Sequence, residues 1–100
     1  MIVNSLDREY ILNEIRALKS ELRDRYQVSK IGIFGSVARN EATKDSDIDI
    51  VVEMEPNILK RIGLKRELEK IFNCEVDVIR YRDRMNPYLK ARIEQDAIYA

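Results

Sequence analysis

A Gly-Ser pair followed ten residues later by two aspartates one position apart concentrates most of the reactive chemistry of this sequence into FGSVARNEATKDSDIDI, residues 34–50. Gly35 lets a ligand approach the backbone where a Cβ would otherwise stand, and Ser36 adds a hydroxyl donor. A helix after such a turn offers unpaired N–H groups and a positive dipole end, which suit a phosphate. In extended chain, residues two apart point to the same face, so Asp47 and Asp49 share one side while Ile48 and Ile50 take the other. Carboxylates held this close repel, and one pKa rises unless a cation lies between them. Hard oxygen ligands of this kind suit Mg²⁺, which keeps several waters or substrate phosphates in its octahedron. Asp77, within the apolar run CEVDVI at 74–79, is a third acid. On a strand next to the first pair it would complete a set able to hold two Mg²⁺ ions for in-line phosphoryl displacement, and could draw the proton from an attacking hydroxyl.

Each part also has an ordinary reading. A D-x-D pair alone is expected by chance about 0.6 times in such a chain, and a Gly-Ser pair is usually a turn. The combination at this spacing has a chance expectation on the order of 0.001, so the spacing carries the evidence. Asp77 alone reads equally well as a solvent-facing edge-strand residue paired with Arg80 or Arg82. The sequence has no histidine, which excludes Ser-His and Cys-His catalysis and histidine metal ligation. Cys74, the one cysteine, reads as a small buried hydrophobe in a reducing, cytoplasmic setting. The basic residues of 60–70 and 80–92 read as solvated helix faces or loops, with a few free to bind a partner or a triphosphate.

These residues must be carried by regular elements. Ile11, Ile15, Leu18 and Leu22 recur at helical spacing after Ser5 or Asp7 as N-cap, predicting an amphipathic helix over 5–26. VSKIGIF at 28–34 predicts a strand running into the Gly-Ser turn, and IDIVV at 48–52 and CEVDVI at 74–79 predict two more. Between them Gly63 is expected to start or interrupt a helix that then runs over 64–72 with Leu68 and Ile71 inward. Pro87 opens a last helix after Asn86, and the chain closes on a short extended piece at 97–100. The order α β (turn, short helix) β α β α predicts an α/β (α+β) domain, its sheet covered by helices, spanning residues 1–100.

Composition narrows the function further. Eighteen basic residues balance eighteen acidic ones over 100 residues, so the field needed for sequence-independent duplex binding is missing and no direct nucleic-acid binding is expected. The start MIVNSLDREY lacks a signal-peptide layout, and no stretch nears the roughly 18 apolar residues of a membrane span. A cytoplasmic protein is expected.

Taken together, GSVARNEATKDSDIDIVVE and the later VDVI resemble the minimal nucleotidyltransferases, the MNT branch of the DNA polymerase β-like superfamily, over nearly the whole chain. The resemblance implies the polymerase β-like nucleotidyltransferase fold, a small mixed β-sheet covered by helices. It implies that Gly35 and Ser36 hold the β/γ-phosphates of ATP. Asp47 and Asp49 would bridge two Mg²⁺ ions, and Asp77 would ligate the catalytic one and activate the acceptor. Asn40 stands where relatives often have glycine, and asparagine tolerates the left-handed backbone such a turn needs. Relatives of this size typically act as antitoxins in hetero-oligomers with a HEPN-domain ribonuclease toxin. The implied reaction is adenylyl transfer from ATP to a tyrosine of that toxin, with pyrophosphate leaving. The alternative is a non-catalytic antitoxin that masks its toxin by binding.

Overall fold

The computed structural model describes residues 6–100. Helix α1 (Arg8–Tyr26) starts where the Asp7 carboxylate accepts a hydrogen bond from the Tyr10 N–H at 3.0 Å, satisfying one of the donors that a helix start leaves open. Ser5, the other expected cap, lies outside the described residues. Ile11, Leu12, Ile15 and Leu22 form its buried stripe, and the helix ends at Gln27, whose φ of 56° is left-handed.

Strand β1 (Val28–Phe34) runs directly into the single-turn helix α2 (Gly35–Ala38), and β2 (Ile48–Met54) returns antiparallel, with Ile33 opposite Ile50 and Phe34 opposite Asp49. Helix α3 (Ile58–Phe72) then crosses over to deliver β3 (Val76–Arg80) parallel to β2. A parallel neighbour cannot be reached by a hairpin, so this helix is a topological requirement. Helix α4 (Pro87–Asp96) begins at Asn86, whose side chain accepts from the N–H groups of Tyr88 and Leu89. Strand β4 (Ile98–Tyr99) pairs antiparallel with β1, giving the sheet order β3-β2-β1-β4.

Strand alternation gives the sheet two different faces. On one, Ile33, Ile48, Ile50 and Val76 join Ile15 of α1 and Leu64, Leu68 and Phe72 of α3 in the main core. On the other, Phe34 and Val51 pack only against Ile93 of α4 and its partly buried neighbours. Asp49, two residues before Val51, points to this second face and is partly buried there.

One expectation is corrected: α3 starts at Ile58 and runs through Gly63 without interruption. The Asn57 side chain caps it by accepting from the Lys60 N–H at 3.0 Å, so the start signal lies six residues before the glycine. Gly63 serves packing. A Cβ there would stand 3.1 Å from Cε1 of Tyr26, so its absence lets the end of α1 lie against α3.

Candidate active site

The site is assembled where β1 turns into α2 and where β2 and β3 begin. Gly35 takes a φ of +73°, a conformation L side chains rarely adopt, and a Cβ on it would overlap the Asp49 carboxylate, with Cγ only 3.2 Å away. The backbone and the acid therefore touch because the residue just after Phe34, the ladder partner of Asp49, is glycine. Helix α2 has four residues, so the helix expected after the Gly-Ser turn is a single turn. Any phosphate affinity there comes from local N–H groups and the Ser36 hydroxyl, because a full macrodipole needs more turns.

From Arg39 to Asp47 the chain is folded by its own hydrogen bonds. The Glu41 N–H donates to the Ser36 carbonyl at 2.8 Å, and Asn40 adopts the left-handed conformation that its side chain tolerates, with φ of 61°. Thr43 and Ser46 close a turn in which the Thr43 N–H donates to Ser46 Oγ and the Ser46 N–H to the Thr43 carbonyl. This turn delivers Asp47, exposed, to the residue before β2.

Asp49 and Asp77 stand directly opposite each other in the parallel β2–β3 pair. Asp77 is thereby on the neighbouring strand, exposed, at the sheet edge. The electrostatics of the group centre on partly buried Asp49. Burial first, then the Asp77 charge, push its carboxyl above the ordinary range; Arg92 opposes this, Asp47 adds to it, and Arg39 opposes it further. Anionic repulsion thus reaches Asp49 from both of the other predicted acids. Among the described residues no three acid, cysteine or histidine side chains already form a group able to hold a metal ion. The donor chemistry nevertheless fits a hard divalent cation, since three oxygen-bearing side chains at the starts of adjacent strands carry charge that a cation would neutralise.

Two basic residues join the site that motif spacing alone did not single out. Arg39, at the end of α2, is tied to α4 by an ion pair from Nη1 to Asp96 Oδ2 at 2.6 Å and also pairs with Glu41. Arg92 is exposed on α4 and acts electrostatically on Asp49. Arg92 is more than forty residues from Asp49 in sequence, which leaves no local signal of this approach. Cys74, expected to be buried, is partly buried against the main core, and burial, Asp47 and Glu69 all push its pKa up, away from thiolate reactivity.

The site thus sets a glycine against one of several mutually repelling carboxylates, beside an outer strand of the sheet. Residues 15–100 match the nucleotidyltransferase domain family, and the chain belongs to that family. It is 46% identical over 87 residues to an inferred protein adenylyltransferase of Methanocaldococcus jannaschii, covering 85% of this chain and 89% of that one. It is 45% identical over 76 residues to the protein adenylyltransferase MntA of Thermococcus cleftensis, covering 74% and 77%. A solved structure described as an inferred minimal nucleotidyltransferase superimposes with a TM-score of 0.75 at 34% identity, over 92% of this chain and 94% of that one. A crystal structure of a toxin–antitoxin with AMP-PNP is similar at a TM-score of 0.70 and 26% identity, over 87% and 69%. The fold is that of the minimal nucleotidyltransferases.

Proposed function

We propose that this chain is a Mg²⁺-dependent protein adenylyltransferase that moves AMP from ATP to a tyrosine of a HEPN-domain ribonuclease toxin and so neutralises it in the cytoplasm. The observation that carries the reading is the juxtaposition of Asp49 with Asp77 across β2 and β3 while Gly35 leaves the Asp49 carboxylate free of any Cβ. Support comes also from the 45% identity to the protein adenylyltransferase MntA and from the toxin–antitoxin structure with AMP-PNP.

In this reaction the backbone at Gly35 and the Ser36 hydroxyl bind the β/γ-phosphates, while the absent Cβ of Gly35 makes room for the Asp49 carboxylate beside them. Asp47, Asp49 and Asp77 would hold Mg²⁺, which when bound supplies charge neutralisation and alignment of the triphosphate. Asp77 sits at the exposed edge, where a protein hydroxyl can arrive, and accepts its proton as the tyrosine oxygen attacks the α-phosphorus. The bond to the bridging oxygen of pyrophosphate breaks as the new P–O bond forms. Arg92 and Arg39 oppose the burial and anionic repulsion that push the Asp49 carboxyl upward.

The test is mass spectrometry of a co-purified HEPN-domain partner after incubation with ATP and Mg²⁺, comparing wild type with Asp47→Asn. A tyrosine that gains adenylyl mass with wild type alone is the expected result. A tight complex that blocks the ribonuclease with no mass gain would instead identify an antitoxin that masks its partner.

A further inference from the structure

An outer strand exposes a row of backbone donors and acceptors unless something covers it. Of the two outer strands, β3 is the longer, and its bonds to β2 use alternate residues: the Glu75 carbonyl accepts from Ile48 and the Tyr81 N–H donates to Val52. By that alternation Val76, Val78 and Arg80 turn their backbone groups outward. At Val76 the edge is closed, its N–H donating to Glu69 Oε2 at 3.3 Å and its carbonyl accepting from Lys65 Nζ at 3.0 Å. Beyond Val76, no such side chain caps the outer edge at Val78 or Arg80 among the described residues.

A groove of about 300 Å³ runs there, with Val78, Ile79 and Leu89 as apolar surface and Arg61, Arg80 and Arg82 among its lining. The same three arginines line an adjoining hollow of about 450 Å³ that reaches Ile58 at the head of α3. Ile58 and Leu59 are 64% and 77% exposed, high for large apolar side chains. Arg80 donates through Nε to the Met54 carbonyl and Arg82 to the Arg84 carbonyl, but none of the three guanidinium groups pairs with a carboxylate among the described residues. In a chain whose total charge is balanced, this is a local cationic surface awaiting its counter-charge. The groove begins one residue past Asp77.

We propose that the groove along the free edge of β3 seats an acidic polypeptide segment of the acceptor protein, bringing its tyrosine to Asp77; this rests on the adenylyl-transfer reading above. A polypeptide is favoured over RNA because the free backbone edge and the apolar surface suit a peptide. No aromatic ring lines either hollow to stack a base.

The experiment compares wild type with Arg61→Glu/Arg82→Glu for binding of the HEPN-domain acceptor by titration calorimetry, for ATP·Mg²⁺ binding, and for transfer rate. The expected result is a rise of at least about tenfold in acceptor Kd and a parallel loss in kcat/KM through KM, with ATP affinity unchanged. The single Arg82→Glu, at an exposed position, carries the test if the double variant does not fold. An unchanged acceptor Kd overturns the proposal, as does absence of a wild-type complex. Loss of affinity only for a single-stranded RNA oligonucleotide also overturns it. If wild type binds the acceptor without modifying it, the transfer reading fails while the Kd comparison still decides the groove.

Discussion

Gly35 is the residue on which the site turns, because two independent requirements meet in it. Its φ of +73° disfavours any side chain, and the space a Cβ would take belongs to Asp49. Gly35→Ala should therefore cost about 1–3 kcal/mol in stability through strain and displacement of the acid. It should lower transfer more than the stability loss explains. Urea midpoints together with kcat/KM for the acceptor measure both, and an alanine variant of wild-type activity would remove Gly35 from the phosphate-binding role. The carboxylates behave differently. Asp49 is disfavoured as an anion by burial and by its neighbours, so Asp49→Asn should raise the urea midpoint in the absence of Mg²⁺ while abolishing transfer. A drop in the midpoint would mean that Asp49 is held by stabilising contacts rather than placed against repulsion.

At the scale of elements, α3 shows how packing overrides local propensity. Alanine in a helix interior is favoured over glycine by about 1 kcal/mol, yet at position 63 its methyl group meets the Tyr26 ring. That ring also lies 5.3 Å from the Arg25 guanidinium, which itself pairs with Glu67 of α3, so it is not free to move aside. Gly63→Ala should accordingly give no net stabilisation in the wild-type background and should regain about 1 kcal/mol in a Tyr26→Ala background. A double-mutant cycle of thermal or urea unfolding reads the difference, and equal effects in both backgrounds would show that the ring does not set the choice of glycine. Helix α4 contributes in another way. Its Ile93 anchors it over Phe34 and Val51, and the Arg39–Asp96 pair ties it to α2, so Arg92 is brought to the acids by packing that involves none of them.

At the scale of the whole molecule, the sheet is closed on one side by a two-residue strand whose pairing depends on a third glycine. A Cβ on Gly32 would stand 2.6 Å from the Ile98 carbonyl oxygen and 2.9 Å from the Tyr99 Cα, both backbone atoms that cannot swing away. Gly32→Ala should push β4 off β1, costing about 1–3 kcal/mol. Faster hydrogen exchange at the Ala100 N–H, which donates to the Ile31 carbonyl at 2.9 Å, should report the separation. Unchanged exchange there would mean that β1 bends to absorb the methyl group. Both β3 and β4 are outer strands, but β4 has two residues and β3 has five, so the longer outer edge is that of β3.

Residue type and spacing alone determined the Gly-Ser turn, the D-x-D pair, the three long strands and the start of the last helix after Asn86, and narrowed the first cap to Ser5 or Asp7, because each depends on local chemistry within a few positions. The tolerance of Asn40 for a left-handed backbone was legible for the same reason. Local rules misread Gly63, since its cause is a ring thirty-seven positions earlier in the chain, and they did not separate Arg92 from the other basic residues of 80–92. The opposition of Asp49 and Asp77 was expected only on condition that their strands were neighbours. The tertiary structure decided that condition through the α3 crossover, because a parallel pairing is fixed by the burial of a helix on one sheet face and not by the residues that end up facing each other.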